Sequence, residues 1–306
     1  MKIRANGIDI EVEDSDSGAP TERPVVLLIT GLGLQLIAWP SDMVRGLVDA
    51  GYRVVRFDNR DIGLSQHFDA LGTPNVMGQG LKYKLGLGIT PPYSLQDMAA
   101  DSLGVLDALQ IHLAHVVGVS MGGMIAQRLA LLSPARVASL TSVMSSSGAR
   151  GLPSASSEVT RMVLSRPADN SLQAAIERSV KIYRAIGSQG RSPEFRIDDA
   201  ELRSWVTEAA QRSSYPPGIA RQIVAIFADS SRAAELAGVR SPTLVVHGKA
   251  DPLMPFACGE DTARRIPGAA LVGIDEMGHD LPPGVVQRLL SLLIPHFQAT
   301  TSAARF

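Results

Sequence analysis

The sequence predicts an α/β fold, built as a doubly wound, mostly parallel sheet with an N-terminal antiparallel hairpin and an inserted helical cap. Short apolar segments alternate with helical segments through the first half of the chain, and this alternation is typical of βαβ units. It stops between residues 147 and 240, where helical segments follow one another, and then resumes. Hydrophobic residues make up 45% of the 306 residues, which is enough for the large core that such a fold needs.

Clear turn residues separate the elements of the first half. Asn6-Gly7 joins two short alternating runs and favours a type I′ turn, so residues 1–12 are expected to form a β-hairpin. Residues 24–30 form a continuous apolar run, typical of a strand buried on both faces of a parallel sheet. The elements expected after it are helix 41–50, strand 52–57, a long loop 58–94, helix 95–109, strand Ala114–Val119, helix Met121–Leu132 and strand 137–144.

The second half contains the predicted cap and the end of the sheet. The expected helices of the cap are 161–165, Leu172–Ile186, 199–211 and 218–228. We then expect strands 242–247 and Ala270–Ile274 to complete the sheet. A last helix, 283–297, is expected to pack against it. We therefore expect residues 1–146 and 241–306 to form an α/β core, and residues 147–240 to form a helical cap inserted into it.

Composition and charge argue against several classes of protein. The formal net charge is −1 and no basic cluster occurs, so a nucleic-acid partner is not expected. The lone cysteine, Cys258, excludes an internal disulfide framework and has no basic neighbour, which predicts a structural thiol in a reducing compartment. The N-terminus lacks the apolar region of a secretory signal, and no stretch approaches the roughly 20 apolar residues of a transmembrane segment. A cytoplasmic location is therefore expected, and nothing in the sequence indicates an oligomer.

Motifs for cofactors and metals are incomplete. Gly31-Leu32-Gly33 begins like a dinucleotide fingerprint, but Leu36 stands where the third glycine is required. Neither H-E-x-x-H nor paired cysteines occur, so we expect no cofactor and no metal. Residues 58–61 hold three charged side chains in a loop, where a structural turn with local ion pairs is expected.

The strongest chemical signal is Gly118-Val119-Ser120-Met121-Gly122, which fits G-x-S-x-G. Ser120 directly follows a predicted strand and opens a predicted helix, which is the context that a nucleophile elbow requires. Such a turn is tight and leaves no room for side chains on either side of the serine. Glycine is therefore expected at both positions, and Gly118 and Gly122 meet this requirement. The N-terminus of the following helix favours negative charge as it develops near the serine.

A serine hydroxyl needs a base to remove its proton, and the base needs an acid to orient it. His279 lies in a loop just after the strand Ala270–Ile274, at the edge of the sheet where Ser120 is also expected. Asp251 follows the preceding strand at the same edge, whereas His247, which ends that strand, is expected to order the next loop. The chain order Ser120, Asp251, His279 is the order that this type of fold uses.

The oxyanion of a tetrahedral intermediate needs two N–H donors. The backbone of Met121, directly after the nucleophile, and the backbone of Leu32, between two glycines, are the candidates. Several large side chains are candidates either for lining a substrate pocket or for packing a core, and the sequence does not decide between these. They are Trp39, Met144, Tyr183, Trp205, Tyr215 and Phe227.

With these motifs the chain resembles the α/β-hydrolase superfamily over nearly its whole length. Within it, the chain is similar to the aclacinomycin methylesterase group of bacterial esterases. This likeness lies in residues 38–40 (Ala-Trp-Pro), residues 56–65 (RFDNRDIGLS) and residues 231–236 (SRAAEL). Two features depart from the group: Thr30-Gly31 stands where many relatives have His-Gly, and the segment 66–94 is longer.

The resemblance implies hydrolysis of a carboxylic ester without a cofactor. Ser120, His279 and Asp251 would then cleave a small to medium, moderately hydrophobic ester through an acyl-enzyme. Serine at the elbow excludes relatives that use aspartate there, such as epoxide hydrolases and haloalkane dehalogenases. Perhydrolases and acyltransferases share the same triad and are not excluded. The main alternatives are a hydrolase of carbon–carbon bonds in ring-cleavage products, and a ligand receptor or signalling partner with a vestigial triad.

Overall fold

The computed structural model describes residues 1–17, 22–165, 168–169, 171–190 and 192–303. Residues 18–21 and 304–306 of the predicted core and residues 166–167, 170 and 191 of the predicted cap lie outside the described residues. The strands are β1 Lys2–Ala5, β2 Ile8–Asp14, β3 Val25–Ile29, β4 Arg53–Phe57, β5 Ala114–Val119, β6 Val137–Val143, β7 Thr243–Gly248 and β8 Ala270–Ile274.

These strands form one sheet in the order β1-β2-β4-β3-β5-β6-β7-β8. β1 pairs with β2 and β2 with β4 in antiparallel fashion, and the remaining pairs are parallel. Asn6 and Gly7 both have positive φ, at 49° and 76°, as a type I′ turn requires. The predicted fold class is therefore confirmed, including the N-terminal hairpin.

The helices cover both faces of the sheet and fill the connection between β6 and β7. They are α1 Ser41–Asp49, α2 Val76–Lys84, α3 Leu95–Ala108, α4 Met121–Leu132, α5 Ser157–Val163, α6 Leu172–Ile186, α7 Asp199–Arg212, α8 Pro216–Ala228, α9 Arg232–Glu235, α10 Ala257–Arg265 and α11 Pro283–Ala303. Helices α5–α9 all lie between β6 and β7, where the strand rhythm of the sequence stops. The division into a core and a cap at residues 147 and 240 stays a prediction.

Four helices differ from those expected from the sequence, and one of them, the short α9, was not predicted. α2 lies inside the segment 58–94, which was expected to be a loop, and α10 was not predicted. Two glycines in α2 and one in α10 lower the intrinsic helix propensity of both segments. α5 begins four residues before the expected start at residue 161, because Ser156 caps it by accepting a hydrogen bond from the Val159 N–H.

The core consists of two layers, one on each face of the sheet. All five residues of β3 are buried, as expected for a central parallel strand. Leu27 and Ile29 point into one layer, and Val26 and Leu28 point into the other. Among the described residues, no helix is long and apolar enough to cross a membrane.

Buried ion pairs join the loop after β4 to the helices between β6 and β7. Asp58 accepts a hydrogen bond from Arg212 of α7 at 2.7 Å, and Asp61 pairs with Arg221 of α8 at 2.8 Å. Arg60 of the same loop pairs with Asp101 of α3. The prediction of local ion pairs at residues 58–61 was therefore wrong, because each of these charges reaches a distant helix.

Candidate active site

Ser120 sits at the sharp turn between β5 and α4. Its φ and ψ are 55° and −122°, a conformation that side chains other than glycine rarely adopt. A Cβ on Gly118 would lie 2.1 Å from the Gly122 carbonyl oxygen, and one on Gly122 would lie 2.1 Å from the Ile29 carbonyl oxygen. The turn therefore has room for glycine alone at both positions, and it raises Ser120 above the carboxyl edge of the sheet.

Ser120, His279 and Asp251 form one hydrogen-bonded chain across this edge. His279 Nε2 lies 3.0 Å from Ser120 Oγ, and His279 Nδ1 lies 2.7 Å from Asp251 Oδ2. Because a carboxylate can only accept, Nδ1 carries the imidazole proton and Nε2 is left to accept the proton of the serine. His279 and Asp251 are both buried. The structure thus brings together the three residues on which the sequence analysis converged.

Asp251 is oriented by the loop that follows β7. Its Oδ1 accepts the N–H groups of Leu253 at 2.9 Å and Met254 at 2.8 Å, so Oδ2 is directed at His279. His247 orders the same loop, as expected, because its Nε2 donates to the Met254 carbonyl at 2.7 Å. Burial lowers the pKa of His247, which keeps this imidazole neutral beside Asp251.

A serine that the sequence analysis missed, Ser188, anchors the loop that carries His279. Ser188 follows α6, and its Oγ accepts the Gly278 N–H at 2.8 Å while donating to Asp280 Oδ1 at 2.5 Å. The His279 N–H donates to the Ile186 carbonyl at 2.7 Å. Burial raises the pKa of Asp280. No local pattern reveals this contact, because Ser188 and Asp280 are 92 positions apart.

The predicted oxyanion donors, the N–H groups of Leu32 and Met121, belong to two segments that meet at Ser120. The described part of the chain offers no hydrogen-bond acceptor to either of these two N–H groups. A Cβ on Gly31 would lie 3.2 Å from Ser120 Cβ, so this loop runs directly against the nucleophile turn. Gly33 has a φ of 68°, and its N–H donates to Gln222 of α8 at 3.0 Å.

Thr30 explains how this loop is built without the histidine of many relatives. Its Oγ1 donates to the Leu34 carbonyl at 3.1 Å and accepts from the Asn59 side-chain amide at 3.2 Å. The hydroxyl therefore closes the turn from residue 30 to residue 34 and ties it to the loop after β4. A small polar side chain suffices for this role, since both partners lie within hydrogen-bond distance of its hydroxyl.

Five of the six candidate pocket residues occupy three separate packing environments. Trp39 and Met144 are buried in the same core layer. Tyr183 and Trp205 pack edge to face, with ring centroids 4.8 Å apart, in a small cluster formed by α6 and α7. Tyr215 stacks on His67 at 3.9 Å and donates its hydroxyl to Asp69. The sixth candidate, Phe227, stacks on Tyr83, and a role in lining a substrate pocket stays a prediction for all six.

Cys258 matches its expected structural character. It is buried on α10, its Sγ lies 3.6 Å from the Pro153 carbonyl oxygen, and burial raises the pKa of its thiol to about 11. A thiol with this pKa is protonated near neutral pH and is a poor nucleophile. Among the described residues, no group of three or more His, Cys, Asp or Glu side chains is arranged to hold a metal ion.

Comparison with known proteins defines the class of this fold and site. The family model of the α/β hydrolase fold matches residues 24–282. The structure superposes on the meta-cleavage product hydrolase CumD from Pseudomonas fluorescens IP01 with a TM-score of 0.72, at 22% identity, covering 98% of this chain and 97% of that chain. It also superposes on the enol-lactonase from Burkholderia xenovorans LB400 with a TM-score of 0.70, at 20% identity, covering 97% and 100%. The chain belongs to the α/β hydrolase fold family.

Sequence similarity is higher to a methylesterase of Streptomyces peucetius. The chain is 32% identical over 303 residues to the rhodomycin D methylesterase DnrP from Streptomyces peucetius, and the alignment covers 93% of this chain and 94% of that protein. The predicted resemblance to bacterial methylesterases is therefore confirmed.

Proposed function

We propose that the protein is a serine hydrolase that cleaves a carboxylic ester of a small to medium, moderately hydrophobic substrate. Ser120 is the nucleophile, His279 the general base and acid, and Asp251 the orienting acid. The observation that carries the proposal is the continuous chain of hydrogen bonds, 3.0 Å and 2.7 Å long, that starts at a serine in a strained turn.

In the acylation step, Ser120 Oγ attacks the acyl carbon of the ester while its proton passes to His279 Nε2. The new C–O bond turns the carbonyl oxygen into an oxyanion, which the N–H groups of Leu32 and Met121 receive. Asp251 stabilises the imidazolium that forms at this moment. When the tetrahedral intermediate collapses, the ester C–O bond breaks and His279 protonates the departing alcohol.

In the deacylation step, water attacks the acyl carbon and transfers a proton to His279 Nε2. The second tetrahedral intermediate releases the carboxylic acid, and the proton returns to Ser120 Oγ. Both steps use the same oxyanion donors, because the oxygen develops at the same position each time. The N-terminus of α4 beneath Ser120 adds a favourable field for this negative charge.

Ester cleavage is favoured over carbon–carbon cleavage by the degree of similarity. The relative at 32% identity is a methylesterase, whereas the similarity to the meta-cleavage product hydrolase is 22% and supports the fold alone. The proposed partner is therefore a small-molecule ester, with the bond broken between the acyl carbon and the alkoxy oxygen. The large side chains of the proposed cap, among them Tyr183 and Trp205, are the residues that we expect to influence the choice of substrate.

The decisive variant is Ser120→Ala. We expect it to lower kcat/KM for p-nitrophenyl esters by about 10³-fold or more and to leave the circular dichroism spectrum unchanged, because triad members act as a unit. Ser291→Ala, an exposed serine on α11, is the matched control and keeps full activity. Near-normal activity of Ser120→Ala in a folded protein overturns the assignment.

The substrate series decides among the alternatives. p-Nitrophenyl esters of varied chain length should be assayed beside methyl esters, lactones and ring-cleavage products, and we expect sustained turnover of the esters. A ring-cleavage product hydrolysed far faster than any ester would identify a carbon–carbon bond hydrolase. A single burst of product without turnover would identify a receptor with a vestigial triad.

A further inference from the structure

Helix α2 presents an apolar stripe to solvent. Met77 is 83% exposed, Leu81 is 59% exposed and Leu85, just after the helix, is 63% exposed. These residues are four positions apart, so they lie on one face in successive turns. Leu87, two residues further along the chain, is 52% exposed. A helix face of this kind is unusual in a water-exposed position.

The opposite face of α2 holds the helix firmly on the protein. The Tyr83 ring stacks on Phe227 of α8 with centroids 5.4 Å apart, and the Cβ position of Gly80 lies 3.5 Å from the same ring. Asn75 caps the helix by accepting the Gly78 N–H at 3.0 Å. The exposed stripe is therefore presented by an ordered helix that already has its packing contacts on the other side.

The charged residues of the segment that contains α2 are all positive. Residues 70–96 contain no aspartate or glutamate, and their charged residues are Lys82 and Lys84, both exposed. At about 100° per residue, these two lysines fall on opposite sides of the stripe formed by Met77, Leu81 and Leu85. Exposed Arg150 adds a third positive charge, with its Cζ 5.9 Å from the Tyr83 ring centroid.

We propose that α2 is an interfacial helix that binds the surface of a bilayer containing anionic lipids. The apolar stripe enters the boundary between headgroups and acyl chains, and Lys82 and Lys84 reach the lipid phosphates from either side. The contact is peripheral. It goes beyond the proposed ester hydrolysis and does not depend on it.

A second copy of the chain fits this face less well. A nine-residue helix is only about 14 Å long, and its exposed side is small compared with the roughly 800 Å² that each partner buries in a stable protein complex. A symmetric dimer through α2 would also bring the lysines of the two copies together. An anionic lipid surface, by contrast, neutralises these charges and accepts the leucines at the same time.

The position of α2 connects lipid binding to the proposed reaction, because α2 lies close to the candidate oxyanion donors. α8, on which α2 packs, also contacts the loop that carries Leu32, because a Cβ on Gly33 would lie 3.2 Å from Ile219 and the Gly33 N–H donates to Gln222. One helix layer therefore separates the lipid-facing stripe from the candidate oxyanion donors. A moderately hydrophobic ester dissolved in the bilayer would be concentrated next to this side of the site.

The test is flotation of the whole protein with lipid vesicles. Vesicles of an equal mixture of phosphatidylglycerol and phosphatidylcholine should carry the protein upward at low salt, and vesicles of phosphatidylcholine alone should carry much less. We expect Leu81→Ser/Leu85→Ser to lower the partition coefficient by at least about tenfold. Lys82→Gln/Lys84→Gln should lower it by about thirtyfold for the anionic vesicles.

The matched control is Leu113→Ser/Leu132→Ser, which changes two exposed leucines outside α2 and should float like the wild type. The proposal is overturned if the wild type does not float with anionic vesicles, or if this control loses binding as much as the α2 variants. It is equally overturned if the α2 variants float normally but change the sedimentation coefficient of the protein, because the face would then bind a second copy. Thermal melting verifies that every variant is folded.

Discussion

At the scale of single residues, the candidate site depends on the fixed backbone conformation of Ser120. Its positive φ of 55° places the side chain above the sheet edge, and a strained conformation of this kind costs roughly 1–3 kcal/mol. The surrounding close contacts at Gly118 and Gly122 maintain this conformation. A residue that is kept in a conformation that lowers the stability of the fold is expected to have a chemical role.

Asp251→Asn is the variant that tests the orienting acid. We expect kcat to fall by several orders of magnitude, on the order of 10⁴-fold, because an amide can stabilise the wrong imidazole tautomer. His279→Ala should cost as much or more, since the base itself moves the proton. Asp275→Asn is the control, because Asp275 is exposed and pairs with Lys249 at 2.8 Å. The choice of acid is wrong if Asp275→Asn abolishes activity and Asp251→Asn does not.

His115 makes stability dependent on pH. It lies buried on β5 with its Nδ1 2.8 Å from Ser139 Oγ, and burial lowers its pKa to about 4. Between pH 6.5 and pH 4 the unfolded chain binds a proton at this residue and the folded chain does not, so the stability falls as the pH falls. The full effect of this one residue is about 3 kcal/mol.

Urea unfolding between pH 7 and pH 4 measures this effect. We expect His115→Gln to lose less of its free energy of unfolding over this range than the wild type. The exposed His112→Gln should follow the wild type. Parallel pH profiles for wild type and His115→Gln would show that protonation of His115 is not linked to unfolding.

At the scale of elements, the contact of α4 with β3 determines the shape of the nucleophile turn. Gly122→Ala would place a methyl group 2.1 Å from the Ile29 carbonyl oxygen and 2.6 Å from the Thr30 carbonyl oxygen, both of which are backbone atoms that cannot rotate away. We expect a loss of about 2–3 kcal/mol in the free energy of unfolding and a fall in kcat, because the helix must shift. Thermal melting and ester hydrolysis measure the two effects.

Gly88→Ala is the matched control, because no atom lies within 4 Å of the Cβ position there. It should melt near the wild-type temperature and keep its activity. A Gly122→Ala variant that is as stable and active as the control would mean that the turn has more room than these distances indicate.

At the scale of the whole molecule, buried ion pairs connect the helices between β6 and β7 to the loop after β4 and to α4. The Asp61–Arg221 pair is completely buried, and Arg128 of α4 binds Asp229 beyond α8 at 2.8 Å. The motif at residues 231–236, which resembles the methylesterases, takes part in the second connection, since Arg232 donates to Gln127 at 2.9 Å. These contacts tie the helices between β6 and β7 to α4 and to the loop after β4.

Arg221→Met tests how strongly the first connection contributes to stability. We expect a loss of about 3–5 kcal/mol in the free energy of unfolding, because the carboxylate of Asp61 would stay buried without its partner. The double variant Asp61→Asn/Arg221→Met should recover part of this loss in urea unfolding. Arg203→Met removes one partner of the exposed Arg203–Glu177 pair and should have little effect. Similar losses in both single variants would contradict the role of burial.

Much of the fold and the candidate site could be predicted from local sequence patterns. The hairpin at Asn6-Gly7, the apolar strands and the G-x-S-x-G turn each depend on residues that are close together in the chain. Ser120, Asp251 and His279 were found because parallel strands place their carboxyl ends at one edge, so the position of each residue after its strand was informative. The sequence alone therefore determined the order of the main elements and the three residues that meet.

Tertiary contacts alone decided the remaining features. α2 is a helix despite its glycines because Tyr83 packs on Phe227, more than a hundred positions away. The charged side chains of residues 58–61 form ion pairs with α3, α7 and α8. Ser188 forms a hydrogen bond with the loop that carries His279. Hydrogen bonds and ion pairs between distant segments leave no periodic signal in the sequence. Their free energy is gained only when folding brings the two partners together and removes water from around them.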